Sequence, residues 1–377
     1  MRIAQVAPLQ LAVPPRAYGG TERVIHNLTE ALVRLGHDVT LFATGDSTTS
    51  AKLIPMLEKP LCFSPEHDAN AFHIAMLDEV YTRHADAFDI IHSHLDYLTL
   101  PFLRLTRTPT VLTLHGRLDK PEWRRVFHEF SNANYVSISD EQRKSLPGVH
   151  YIATVHHGIA VSEFPFYPEQ GKYLAFIGRM SPEKRPDLAI EVAKRCGIPI
   201  KIAAKVDHLE EMYFKKEIMP LLDDPLVEWL GEINEQEKRA LMGNALALIL
   251  PIAWPEPFGL VFIESLACGT PVVSCPVGSV PEVLEDGLTG SSGSTVDELV
   301  TAVREVRHLS RLACRTYATR WFSAERMALD YLRVYERVQR EALSYPQSQR
   351  AQMRGSPTLS PDAESEGDGT FEARLLS

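Results

Sequence analysis

Two glutamates with seven residues between them, Glu256 and Glu264, frame the string Pro255–Glu264, PEPFGLVFIE. Pro257, Phe258 and Gly259 read as a tight turn that opens a helix near Leu260. That places Glu256 on the loop before the helix and Glu264 in its early turns, at one mouth. A helix N-terminus offers unpaired N–H groups and favours anions. Carboxylates accept hydrogen bonds from hydroxyls. The string therefore suits a ligand with both phosphates and sugar hydroxyls. The spacing alone also fits two solvated acids; the Pro and Gly between them favour a site.

Three further groups have matching chemistry. In Gly178-Arg179-Met180-Ser181-Pro182-Glu183-Lys184, Arg179 and Lys184 follow directly on an apolar strand. Two cations at a strand's C-terminal edge can balance a diphosphate whose charge grows as it leaves. Gly19 and Gly20, in Tyr18-Gly19-Gly20-Thr21-Glu22, join a strand to a helix, where glycine lets backbone approach a phosphate closely. The same turn reads as an ordinary helix start with Thr21 as N-cap. His115 ends the strand-like run TVLTLHG and faces the ligand crevice of an α/β sheet, where it can hydrogen-bond a sugar hydroxyl or help at the reacting centre. His92 and His94 end another strand; no third ligand at metal spacing accompanies them, so no metal site is expected. Neither Gly-x-Gly-x-x-Gly nor Gly-x-x-x-x-Gly-Lys-Ser/Thr occurs. That argues against a dinucleotide oxidoreductase and a P-loop NTPase.

The elements that must position these groups alternate. Arg2–Ala7 reads as a buried strand, residues 21–35 as a helix with one apolar face, and Asp38–Ala43 as a second strand, a βαβ unit. Strand-like runs recur at 89–92, 110–114, 135–139 and 151–155, then at 173–178, 200–204, 227–230, 247–250 and 271–275. Helices are expected at 186–195, 235–243, 260–267 and 296–307. Periodicity lapses in HGIAVSEFPFYPEQGK. The expected organisation is a first α/β domain at 1–158, a linker at 159–172, and a second α/β domain at 173–320. An amphipathic helix or helix pair is expected at 321–343, and a disordered tail at 344–377.

The chain of 377 residues is long enough for two ordinary domains. Its net charge of −10 argues against a nucleic-acid partner. Five cysteines without a Cys-x-x-Cys pair point to free thiols in a reducing cytoplasm. No signal-like leader or apolar run of the ~18 residues that a membrane span requires is present. Peripheral membrane contact is left open.

Taken together, these strings resemble the retaining glycosyltransferases of family 4, which have the GT-B fold. The resemblance covers roughly 1–340 and rests on YGGTERV, TLHG, GRMSPEKRPD and PEPFGLVFIE, followed by SLACGTPVVSCPVGSVPEVLEDG. It implies two doubly wound Rossmann-like domains facing a central cleft, with the last helix crossing back to the first. It also implies transfer of a hexosyl group from a nucleoside-diphosphate sugar, UDP-glucose being favoured over GDP-mannose. The acceptor is an unspecified hydroxyl: glycan, lipid-linked or small molecule. By the same resemblance Glu264 holds the ribose, and Glu256 the sugar hydroxyls with the N–H groups of Phe258, Gly259 and Leu260. Arg179 and Lys184 bind the diphosphate, Gly19 and Gly20 lie against it, and His115 contacts the sugar near the reacting carbon. Ile233 and Asn234, in GEIN, lie along the base. Retention without metal or cofactor is implied, with the acceptor attacking on the leaving-group face. A GT-B epimerase-like enzyme, a phosphorylase or a silent sugar-nucleotide-binding protein are the alternatives. Two departures stand out: His157-Gly158-Ile159-Ala160 where the family has Asn-Gly-Ile/Val-Asp, and Ser291-Ser292 where it has an apolar pair.

Overall fold

The computed structural model describes residues 1–16, 19–62 and 67–344. The first strand, β1 (Arg2–Val6), is a short apolar run whose last four residues are buried. It leads into α1 (Gly20–Arg34), whose face Val24, Ile25, Leu28, Ala31 and Leu32 is buried at helical spacing. Gly36, at φ +87, then turns the chain in a left-handed conformation that side chains resist. Next come β2 (Asp38–Thr44), β3 (Lys52–Leu57), α2 (Ala69–Glu79), β4 (Ile90–Ser93), β5 (Thr110–Thr113), α3 (Pro121–Glu129), β6 (Asn134–Ser137), α4 (Asp140–Lys144) and β7 (Tyr151–Thr154). These strands form a parallel sheet of seven, in the order β3-β2-β1-β4-β5-β6-β7.

The second series is β8 (Leu174–Arg179), α5 (Pro186–Cys196), β9 (Ile200–Lys205), the short α6 (Glu211–Tyr213), β10 (Val227–Gly231), α7 (Glu235–Gly243), β11 (Ala247–Leu250), α8 (Leu260–Ala267), β12 (Val272–Ser274), α9 (Val280–Val283), β13 (Gly290–Ser292) and α10 (Val296–Glu305). Its six parallel strands run β10-β9-β8-β11-β12-β13. The expected fold, two doubly wound α/β sheets, is borne out. In such sheets the order reverses at a switch point, and ligands bind beyond the strand ends there. The switch points are β1/β4 in the first sheet and β8/β11 in the second. Arg179 ends β8, and the loops that follow these strands carry Gly19, His94, Lys184 and Glu256.

The chain ends in α11 (Arg311–Trp321) and α12 (Ala324–Ser344). Met327, Tyr331, Val334, Tyr335 and Val338 of α12 are buried in one cluster with Ile3, Val24, Leu28 and Ile90, so this helix crosses back onto the first sheet. Crossing begins at Ala324, not at Trp321 as the pattern suggested. The break has a tertiary cause. Ile159 donates its N–H to Phe322 O at 2.9 Å and accepts from Ala324 N–H at 2.8 Å. This takes backbone groups that a continuous helix would use. Gly158 permits the approach, because a Cβ there would lie 2.4 Å from the Ser323 carbonyl oxygen.

Two strands, β3 and β13, escaped the pattern. β13 lies at the sheet edge, and its polar pair is satisfied locally. Ser291 Oγ donates to Glu305 at 2.6 Å and Ser292 Oγ to Asp286 at 2.7 Å. The N-cap of α1 is Gly19, so Thr21 lies inside the helix rather than capping it. The tail at 345–377, Ala17, Tyr18 and residues 63–66 lie outside the described residues. No helix among the described residues is long and apolar enough to cross a membrane.

Candidate active site

A cleft of about 650 Å³ opens between the two sheets at their switch points. Two helix N-termini meet there. A Cβ on Gly20, at the start of α1, would lie 3.5 Å from Leu260 Cδ1, at the start of α8. Each start presents unpaired N–H groups and the positive end of its helix dipole to the same space.

The turn before α8 is built by close packing. Gly259 adopts φ +81, and a Cβ there would strike the Phe262 ring at 2.6 Å. Gly278 backs the loop so tightly that a Cβ would lie 2.4 Å from Glu256 N. Ser279 then donates its N–H to Glu256 O at 2.9 Å and its Oγ to Phe258 O at 2.8 Å. Phe258 turns its ring into a buried group with His157 and Phe322. This leaves main chain, rather than ring, as its means of contact in the cleft.

The charges divide into two groups. At the β8/β11 end, Lys184 Nζ contacts Glu256 Oε2, which also accepts from Trp254 Nε1 at 3.0 Å. Arg179 Nη2 lies 3.5 Å from Glu183 Oε2, while its Nε is buried without a partner. Glu183 also accepts from Arg117 of the first domain at 2.9 Å, so the ion pair spans the cleft. At the other end, Lys238 Nζ lies 3.1 and 3.0 Å from the two oxygens of Glu264, which is buried. Glu235 lies 3.0 Å from Lys238 and accepts from Arg23 of α1 at 2.8 Å. Glu22, also on α1, lines the cleft; burial pushes its carboxyl up to about 7.

His115 lines the cleft from the first domain. Burial depresses it to about 3, so it is a neutral imidazole at ordinary pH. The ring stacks on His157 at 5.2 Å and 21°. His157 is the residue that replaces the family's asparagine; it is buried and lines the same wall.

Gly19, Gly20, His115, Arg179, Lys184, Ile233, Glu256, Phe258, Gly259, Leu260 and Glu264 all line this cleft. Asn234 does not line it. Its side chain accepts from Glu237 N at 2.9 Å, and Glu237 returns a carboxylate to Asn234 N at 2.9 Å. This is a capping box for α7, and it engages the Asn234 side-chain oxygen. The pattern Asn-x-x-Glu was a visible signal of it. Trp254, Glu183, Arg117, Lys238, Glu235 and His157 were missed. Only Glu183 had a local signal, since it lies between Arg179 and Lys184; the others reach the cleft through tertiary packing. No group of three or more His, Cys, Asp or Glu residues is placed to hold a metal among the described residues.

Two family models match, one described as "Glycosyltransferase Family 4" over residues 18–164, the other as "Glycosyl transferases group 1" over residues 162–321. The chain belongs to the family 4 glycosyltransferases. Among the glycosyltransferase's relatives is the glycogen synthase of Mycobacterium tuberculosis, 26% identical over 351 residues, or 78% of this chain and 83% of that protein. Another is the phosphatidyl-myo-inositol mannosyltransferase of Mycobacterium leprae, 25% identical over 371 residues, or 90% and 97%. Of solved structures, AviGT4, a glycosyltransferase involved in avilamycin A biosynthesis, superposes with TM-score 0.70 at 22% identity, covering 90% of this chain and 98% of that one. Anabaena HepE in complex with UDP-glucose superposes at 0.67 and 16% identity, covering 89% and 100%. These two likenesses support the GT-B fold.

Proposed function

We propose that this glycosyltransferase moves a hexosyl group from a nucleoside-diphosphate sugar to a hydroxyl acceptor, with retention of the anomeric configuration and without a metal ion. The observation that carries the reading is the meeting of two helix N-termini across a cleft whose rim holds Arg179 and Lys184. A diphosphate there replaces Glu183 and Glu256 as the partner of these cations. Its charge rises as the glycosidic bond breaks, so both cations bind the transition state more tightly than the ground state. Together with the helix N–H groups they supply the positive charge for which many transferases use a divalent ion. Glu264 accepts from the ribose hydroxyls and Ile233 lies beside the base. Glu256, freed from Lys184, accepts from sugar hydroxyls, while the N–H groups of Phe258, Gly259 and Leu260 hold phosphate or sugar oxygens. Gly19 and Gly20 let the first domain close on the diphosphate.

The donor favoured is UDP-glucose, with GDP-mannose second; HepE, of like fold, was solved with UDP-glucose. No side-chain nucleophile is required when the acceptor hydroxyl attacks on the leaving-group face and the diphosphate oxygen takes its proton. A reducing cytoplasm suits the five unpaired cysteines.

The test is nucleotide release from UDP-glucose, GDP-mannose and ADP-glucose across a panel of hydroxyl acceptors in EDTA, with the product anomer read by NMR. UDP release with an α-linked product is expected. An inverted product, or activity lost in EDTA and restored by Mg²⁺ or Mn²⁺, overturns the mechanism. Sugar-nucleotide interconversion without an acceptor points to an epimerase. Donor binding with no release from any donor points to a silent binding protein.

A further inference from the structure

A line of buried side chains runs from the returning helix to the cleft. Gln5 of β1 donates from Nε2 to Tyr335 Oη of α12 at 3.3 Å. Its Oε1 lies 2.8 Å from His94 Nε2, and His94 Nδ1 lies 2.8 Å from His115 Nε2. A branch continues from Tyr335 Oη to His92 Nδ1 at 2.7 Å, and from His92 Nε2 to Thr113 Oγ1 at 2.7 Å. Gln5, His92 and Tyr335 are fully buried, and His94 nearly so.

Burial pushes His92 and His94 well below the usual histidine range, and His115 to about 3. Each ring is therefore neutral, with one N–H and one lone pair. A line of such rings has a direction. The carbonyl of Gln5 can only accept, so His94 carries its proton on Nε2 and accepts at Nδ1. His115 must then donate from Nε2, which leaves a lone pair on Nδ1. That Nδ1 is buried and has no partner in the protein, on a ring that lines the cleft. On the far end, the amide N–H of Gln5 goes to Tyr335 Oη, whose own O–H goes to His92 Nδ1. His92 then donates from Nε2 to Thr113. Every donor along the line meets an acceptor. A flipped Gln5 amide would reverse every bond and move the His115 proton to Nδ1. The polarity of one amide, set deep in the first domain, thus decides whether His115 Nδ1 carries a proton or a lone pair.

We propose that Gln5 and His94 are positioning residues that hold His115 as its Nε2–H tautomer, so that His115 meets the donor sugar as a hydrogen-bond acceptor through Nδ1. The proposal rests on the reading that this cleft takes a nucleotide sugar, but the tautomer itself does not. Stacking against His157 holds the ring plane from a second side.

The experiment has two arms. In the first, the full chain is labelled with ¹⁵N-histidine, and long-range ¹H–¹⁵N correlation reports which nitrogen of His115 is protonated, with His115→Gln to assign the signal. An Nε2–H signature is expected without any donor present. A proton on Nδ1, or a charged ring at pH 7, overturns the proposal even if the chain transfers sugar. In the second, Gln5→Met is made. It is expected to mix the His115 tautomers and to lower kcat/KM for UDP-glucose about tenfold, the loss of one hydrogen bond. A monodeoxy UDP-glucose lacking the hydroxyl that Nδ1 accepts should show no such difference between the two proteins. If Gln5→Met leaves both tautomer and kcat/KM unchanged, Gln5 sets nothing. If Gln5→Met does not fold, the tautomer of the unaltered protein still decides. Failure of UDP-glucose, GDP-mannose and ADP-glucose alike to react refutes the reading of the cleft, and leaves the first arm intact.

Discussion

Replacing Glu264 by glutamine tests its proposed role as the partner of the donor's ribose. The substitution keeps size and one carbonyl acceptor but removes the charge. A hydrogen bond to a charged acceptor is worth about 1.5–3 kcal/mol and a neutral one about 1, so a ribose held by the carboxylate loses roughly 1–2 kcal/mol. That is a rise of about 5–30-fold in the donor's KM. The proposed ribose contact would be the same in ground and transition states, so kcat is expected to stay within about twofold. Folding suffers less than the burial of Glu264 suggests. Lys238 loses one partner but keeps Glu235 at 3.0 Å. The cost is thus about 1–2 kcal/mol rather than the ~3–5 of leaving a buried charge alone. Lys238→Met is the contrasting change, since it strands the Glu264 carboxylate itself. Donor titration calorimetry, transfer kinetics and urea unfolding on both variants separate these effects. A fall in kcat at unchanged KM would put Glu264 at the reacting centre and refute the ribose assignment. Unchanged kinetics with lost stability would leave Glu264 as a partner of Lys238 alone.

Two more outcomes are expected. Lys184→Met should lower kcat about 10²-fold while the donor's KM moves only a few-fold, because the leaving group carries more charge in the transition state than in the ground state; a change confined to KM, in steady-state kinetics, contradicts the leaving-group role. His73, which does not itself line the cleft, accepts from Leu9 N–H at 2.9 Å, and burial depresses it to about 4. Its folded pKa lies below the unfolded value, so its stabilisation is complete above about pH 6.5 and is lost as pH falls toward 4. Urea midpoints at pH 7 and pH 5 should show a loss about 2 kcal/mol smaller in His73→Gln than in the unaltered protein; equal losses would mean that burial does not hold His73 neutral.

The sequence by itself determined the local parts. Period-3.6 and continuous apolar runs placed most strands and helices, because burial of one face is written into spacing. Pro257-Phe258-Gly259 marked the turn before α8, because only certain residues tolerate its backbone. Residues adjacent to those turns, Glu256, Arg179 and Lys184, were legible for the same reason. Where a polar residue served two local rules, spacing showed only one of them: Asn234 closes a capping box through its side-chain oxygen. The strand β13 was invisible because an edge position asks for no apolar residue.

Tertiary structure alone decided the rest. Arg23 meets Glu235 across 212 residues of chain, and Gln5 meets Tyr335 across 330. Neither pair has a periodicity or a spacing that announces it. The break between α11 and α12 depends on Ile159, far away in the linker, taking two of the helix's backbone bonds. The facing of α1 and α8 depends on contacts between the two halves, among them Arg23–Glu235 and Arg117–Glu183, and on the return of α12 to the first sheet. Spacing along the chain specifies which groups lie at the end of a strand. Which two ends share a cleft, and which buried proton points into it, follows from packing between elements that never approach one another in sequence.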